Sequence, residues 1–161
     1  LDFTAVLPDA AEYFERALGE RIRWETAEQI ANRHNIACVL FCDTNHVLFS
    51  ETSEVVTVGA GRDAVDLALI NRCKAGDIVI TQDYGLAALA LGKQCYCMHQ
   101  SGMRFSQNNI DRLLYERAFS AKMRRAKSKN HLKGPHKRTK EDDERFAVSF
   151  EKLLLEVMQK Q

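Results

Sequence analysis

The sequence predicts an α/β fold: a doubly wound, mostly parallel sheet flanked by helices, with a C-terminal helical extension. Three observations predict it. Short, continuously apolar runs recur through the middle of the chain, helical patterns separate them, and acidic residues follow the runs. Strands that are apolar at every position suit a parallel sheet covered on both faces, and repeated strand-helix-strand units imply right-handed crossovers.

Taken in order, Phe3 to Leu7 reads as a first strand, and Pro8-Asp9 opens a helix over Ala10 to Leu18, since proline is tolerated in a first helical turn. Thr26 to Arg33 has helical spacing and leads into the apolar run Ile36 to Cys42. Val55 to Val58 is the next strand, and Arg62 to Cys73 the next helix. Asp77 to Ile80 is a short buried strand, Tyr84 to Leu91 an Ala- and Leu-rich helix, and Gln94 to Met98 a weaker strand. Beyond His99 the pattern becomes helical, with Asn108 to Arg117 and Phe119 to Lys127 reading as two helices before Gly134-Pro135 breaks the chain. A last helix runs from about Glu141 to Met158, with Phe146, Phe150, Leu153, Leu154 and Val157 on one face and Thr139 before its start as a cap. The expected organisation is an α/β domain over 1–120, a basic linker or arm over 121–140, and a helix over 141–161 that packs on the domain.

A length of 161 residues matches one domain on the usual prior of about 100 to 200 residues each. With 45% hydrophobic and 28% charged residues, 8 Gly and 2 Pro, the chain is neither collagen-like, low-complexity nor wholly disordered. No apolar run approaches the roughly 20 residues of a membrane span, and Leu1 to Leu7 lacks the basic and apolar regions of a signal peptide. Five irregularly spaced cysteines make a poor disulfide framework, which points to a reducing, cytoplasmic setting. Cys95 and Cys97 share one strand face near His99, but zinc pairs are usually spaced by two to four residues, so core packing is the favoured role of all five.

The net charge of +1 conceals a division. Lys122 to Lys140 holds nine basic residues and no acid, leaving 14 basic residues against 22 acids elsewhere. A basic arm on an acidic body suggests a polyanionic partner, of which RNA is a common one, since each phosphate contact releases counterions. A solvated linker is the plainer reading of the same charges.

Ligands of an open α/β sheet sit outside the carboxyl ends of its strands, and there the sequence is acidic. Asp43 follows one strand, Asp63 and Asp66 follow the next, and Asp83 follows a third. Each alone is explained as a turn or helix cap. On a helical wheel of Arg62 to Cys73, however, Asp66 falls within the apolar arc of Val65, Leu69, Ile70 and Cys73, with Asp63 at its edge. A carboxylate on a core-facing arc needs a hydrogen bond, a proton or a cation. Converging carboxylates form a hard site suited to Mg2+ or Mn2+, ions that activate water and stabilise a leaving oxygen in phosphodiester hydrolysis. Gly59-Ala60-Gly61-Arg62-Asp63-Ala64 also satisfies a dinucleotide-binding pattern, but acids in that turn repel a pyrophosphate, so no dinucleotide cofactor is expected. His46 and His99, in loops at strand ends, are weaker ligand candidates.

These residues carry a resemblance. CDTNH at 42–46, GAGRDAVDLALINRCKAGDIVITQDYGLAALAL at 59–91, HQSG at 99–102, RRAK at 124–127 and KGPHKRTKEDDERF at 133–146 resemble the YaiI/YqxD family of uncharacterised bacterial proteins. That family is in turn similar to PIN- and NYN-type nuclease domains, whose sheet ends carry acids that bind Mg2+ or Mn2+ for RNA cleavage. The resemblance implies a PIN-like fold and a metal-dependent ribonuclease. By position, Asp63 and Asp66 correspond to the family's G-x-D-A-x-D acids and Asp83 to its T-x-D acid; Asp43, at its own strand end, is a further candidate ligand. Members usually begin with an Asp-Ala-Asp-Ala-Cys-Pro motif, which Leu1 to Trp24 does not contain. The alternative expectation is therefore a non-catalytic RNA-binding or protein-interaction module. In either case Arg124, Arg125, Lys127, Lys137 and Arg138 are the expected phosphate contacts.

Overall fold

The computed structural model describes residues 23–45, 48–61, 63–126 and 138–160, together with the backbone of 4–7. The expected helix over Ala10 to Leu18, the Gly134-Pro135 break, Asp2, Asp9, Arg62, His46, Lys127 and Lys137 lie outside the described residues.

Six strands form one sheet: β1 (Thr4–Leu7), β2 (Ala37–Asp43), β3 (Glu54–Val58), β4 (Ile78–Ile80), β5 (Tyr96–Met98) and β6 (Arg104–Phe105). Their spatial order is β3-β2-β1-β4-β5-β6, and every pairing is parallel except β5 with β6. Register is set by burial, because a one-residue slip would turn each side chain to the opposite face. β1 lies at the centre, with Val6 opposite Val39 on one side and Val79 on the other.

Alternation along the strands divides the apolar side chains between two layers. Cys38, Leu40, Ile78, Ile80 and Met98 point to one face, where α1 (Arg23–Arg33) contributes Ala27, Ile30 and Ala31. The last helix, α5 (Lys140–Gln159), completes this layer with Phe146, Phe150, Leu153, Leu154 and Val157. Val39, Phe41, Val79 and Cys97 point the other way, toward α2 (Ala64–Arg72), α3 (Tyr84–Gly92) and α4 (Gln107–Ala126). Helices therefore cover both faces, and the C-terminal helix belongs to the core.

Local chemistry fixes the start of α5. The Thr139 hydroxyl accepts from the Asp142 N–H while the Asp142 carboxylate accepts from the Thr139 N–H, a reciprocal capping box. Side chains then tie the helix to the rest. Glu151 accepts from His34 at 2.9 Å, a contact that holds its carboxyl below the usual range, and Arg104 donates to Glu156 at 2.6 Å. Gly102, at φ 88°, permits close approach, because a Cβ there would lie 2.8 Å from Ser149 Oγ.

Two details depart from the sequence reading. The helices expected at Asn108 to Arg117 and Phe119 to Lys127 are one helix of 20 residues, since no Gly or Pro interrupts it and Ala118 continues it without cost. The two-residue β6, too short to leave a periodic signal, turns the sheet edge antiparallel. The five cysteines are free and buried, and burial pushes the Cys38 and Cys97 thiols up to about 12, as expected of core residues.

Phe150 is fully buried between the sheet and α1, whereas Val148 on the same helix is exposed. Phe150→Ala is expected to lower unfolding free energy by about 3–5 kcal/mol through the cavity it leaves. Val148→Ala should change it by less than about 0.5 kcal/mol, both read from urea denaturation.

Candidate functional site

All five parallel strands end on the same edge of the sheet, so the turns after β2, β3, β4 and β5 gather the sequence's acidic and aromatic polar residues there. Asp43 is the last residue of β2 and is half-buried; its Oδ1 accepts from the Asn45 N–H at 2.9 Å, closing the turn. Asp83 precedes α3 and caps it, Oδ1 accepting from the Leu86 N–H at 3.0 Å, while its own N–H donates to Thr81 Oγ1 at 3.0 Å.

Asp63 and Asp66 differ more from expectation. The wheel treated both as helical, but Asp63 stands before α2 in the left-handed region, at φ 63°, is exposed, and makes no side-chain cap bond. Asp66 lies in the first turn of α2 and is half-buried, beside the buried Val65 and Leu69. The four acids thus share an edge without forming a cage. Among the described residues, no three His, Cys, Asp or Glu side chains gather closely enough to hold a metal ion. Oxygen-rich as these donors are, they do not by themselves fit the Mg2+ or Mn2+ centre that the resemblance implies.

The same edge carries a cleft of about 550 Å3 lined by Gln82, Tyr84 and His99 and, from α4, by Leu113, Glu116, Arg117, Ser120 and Arg124. Asp83 sits in sequence between two of these lining residues. Tyr84, His99 and Phe105 meet edge-to-face, with centroids 5.6–6.4 Å apart, and make an aromatic base. Arg117 lies over the Tyr84 ring, its Cζ 5.7 Å from the centroid. The His99 ring is oriented from the turn that follows it: the Ser101 N–H donates to Nδ1 at 3.1 Å, so the neutral ring carries its proton on Nε2. Two guanidinium groups and an imidazole against one carboxylate favour an anionic ligand.

The expected phosphate contacts separate here. Arg124 lines the cleft, and Arg125 is exposed beside it near the end of α4. Arg138 is structural in placement: with 12% of its side chain exposed, it pairs with Asp143 and donates to the Gln100 carbonyl at 2.9 Å, joining the start of α5 to the turn after β5. Sequence reasoning missed Gln82, Tyr84, Glu116, Arg117 and Ser120. A signal was present, since Leu113, Arg117, Ser120 and Arg124 recur at spacings of three and four and so share one helix face.

The model of the uncharacterised YaiI/YqxD family matches residues 23–156. A UPF0178 protein of Clostridium acetobutylicum is 56% identical over 128 residues, covering 80% of this chain and 86% of that protein. UPF0178 proteins of Clostridium kluyveri and Clostridium tetani are 44% and 47% identical, over 80% and 74% of this chain and 83% and 80% of their own. No solved structure matches the chain.

The geometry separates the aspartates by their structural cost. Asp83→Ala is expected to lose about 1 kcal/mol of stability with the α3 cap, and Asp83→Asn to keep most of it. Asp63→Gly should be neutral or stabilising, because glycine takes φ 63° without strain. Denaturant midpoints of the three variants decide the ranking.

Proposed function

The chain belongs to the YaiI/YqxD family, and on that premise we propose that it binds RNA, holding the sugar-phosphate backbone in the cleft at the carboxyl edge of its sheet. The observation that carries this reading is the pair Arg117 and Arg124 on one face of α4, beside the aromatic group of Tyr84 and His99. Guanidinium forks match phosphate oxygens bidentately, and aromatic rings accept ribose or base. Arg125, and Lys127 and Lys137 in the basic stretch that follows α4 in sequence, are the further phosphate contacts of this reading.

A second reading, metal-dependent ribonuclease activity on a PIN-like fold, is favoured by the acids. Asp43, Asp63, Asp66 and Asp83 occupy the ends of three strands, and a mostly parallel sheet with helices on both faces supports the PIN-like assignment. On this reading Asp63, Asp66 and Asp83 are the residues needed for turnover, and Asp43 with them supplies only part of the donor set of Mg2+ or Mn2+. A complete centre requires donors beyond those that the described residues bring together.

The two readings separate in one set of assays with a labelled 12-nucleotide RNA. Binding should weaken steeply from about 50 to 200 mM salt, and Arg117→Gln with Arg124→Gln should lower the slope of log K against log salt by about 1 to 1.5. Affinity unchanged by salt and by both substitutions would overturn the binding reading. Cleavage that needs Mn2+ or Mg2+, stops with EDTA and is lost in Asp66→Asn/Asp83→Asn establishes the nuclease; EDTA-indifferent binding without cleavage leaves the binding module.

A further inference from the structure

The second half of α4 is the most exposed helical surface described. Helix α3, beside which α4 packs, has nine residues, whereas α4 has 20, so α4 outruns its partner. Ile110, near its start, is its one buried residue. Along the remainder, Tyr115, Phe119 and Met123 stand at i, i+4 and i+8, with Tyr115 70% and Phe119 53% exposed. The two rings are nearly parallel, 16° between planes and 6.4 Å between centroids. Two aromatic rings left in water on a helix that already has a packed face ask for an occupant.

Charge selects among occupants. Between Asp111 and Arg125 the helix carries Arg112, Arg117, Lys122, Arg124 and Arg125 against Asp111 and Glu116, and Arg112 and Lys122 lie on either side of the rings by helical spacing. Glu116 is engaged with Arg112 at 3.2 Å. Aromatic faces interleaved with cations suit a ligand with π-faces and regularly spaced negative charge. A second copy of this chain would bring the same positive face against itself.

We propose that Tyr115 and Phe119 form a stacking ledge for the bases of a single-stranded RNA that runs from the cleft around α4. The inference rests on the RNA reading above and deepens it: the protein selects single strands over duplex, because bases paired inside a helix cannot reach the ledge. Phosphates pass Arg112 and Lys122, which flank the rings, while one or two bases lie on them; Arg117 and Arg124, on the other side of α4, hold the strand in the cleft. Met123 extends the apolar strip toward the basic segment.

The experiment compares the full chain with Tyr115→Ala/Phe119→Ala, using a 12-nucleotide oligouridine strand, a 12-base-pair RNA duplex, and sedimentation of each protein alone. The expected result is single-strand affinity above duplex affinity in the unsubstituted protein, falling about 10- to 100-fold in the double variant with duplex binding and thermal stability unchanged. Equal single-strand affinity in the two proteins overturns the ledge, and the RNA reading then survives if Arg117→Gln/Arg124→Gln still weakens binding. Duplex bound as tightly as single strand overturns the selectivity. No RNA binding at all overturns both readings, and a dimer dispersed by the ring substitutions assigns the face to a second copy instead.

Discussion

A parallel sheet cannot leave either face to water, because its strands are apolar on both sides, and every other feature of this fold follows from satisfying that constraint. β2 shows it most simply: Cys38 and Leu40 face one layer, Val39 and Phe41 the other, and all four are buried. One layer is closed by α1 and α5, elements more than a hundred residues apart in sequence, and the other by α2, α3 and α4. The aromatic and aliphatic face of α5 is therefore as much a part of the domain as any strand. Removing it would expose Leu40, Ile78 and Met98 from above.

The same constraint makes the site. Parallel strands joined by helices must all begin at one edge and end at the other, so residues distant in sequence arrive at a common edge without any contact between them being selected individually. The turns after β2 to β5 place Asp43, Asp63, Asp83, Tyr84 and His99 along that edge. There the roles diverge. Asp83 is engaged in capping α3 and Asp43 in closing its turn, while α4 lays Arg117 over the Tyr84 ring and brings Arg124 to the same cleft. The carboxylates stay spread along the strand ends, and the cations converge on the cleft, so the positive side of the edge is the better-formed one.

Much of this was legible in the sequence. Ile36 to Cys42 and Asp77 to Ile80 mark their strands because burial on both faces leaves no polar position, and α5 is visible in the spacing of Phe146, Phe150, Leu153, Leu154 and Val157. Position along the sheet edge was equally legible, since it follows from strand ends alone. Side-chain roles were not. The wheel placed Asp63 on a helix because periodicity carries no information about the left-handed residue before it. Arg138 read as one more cation of a basic run, and its burial against Asp143 and Gln100 depends on where α5 docks. The cleft was missed for a similar reason: Tyr84 and Arg117 are 33 positions apart and meet only because α4 packs on α3.

Hydrogen exchange of the full chain with and without a 12-nucleotide single-stranded RNA locates binding without presuming any residue. RNA held in the cleft brings new protection at Thr81 to Leu86, His99 to Met103 and Leu113 to Arg124, the turns and helix that border it. Protection confined to the opposite sheet edge, at Lys74 to Asp77 and Lys93 to Tyr96, or no protection anywhere, would contradict binding in the cleft.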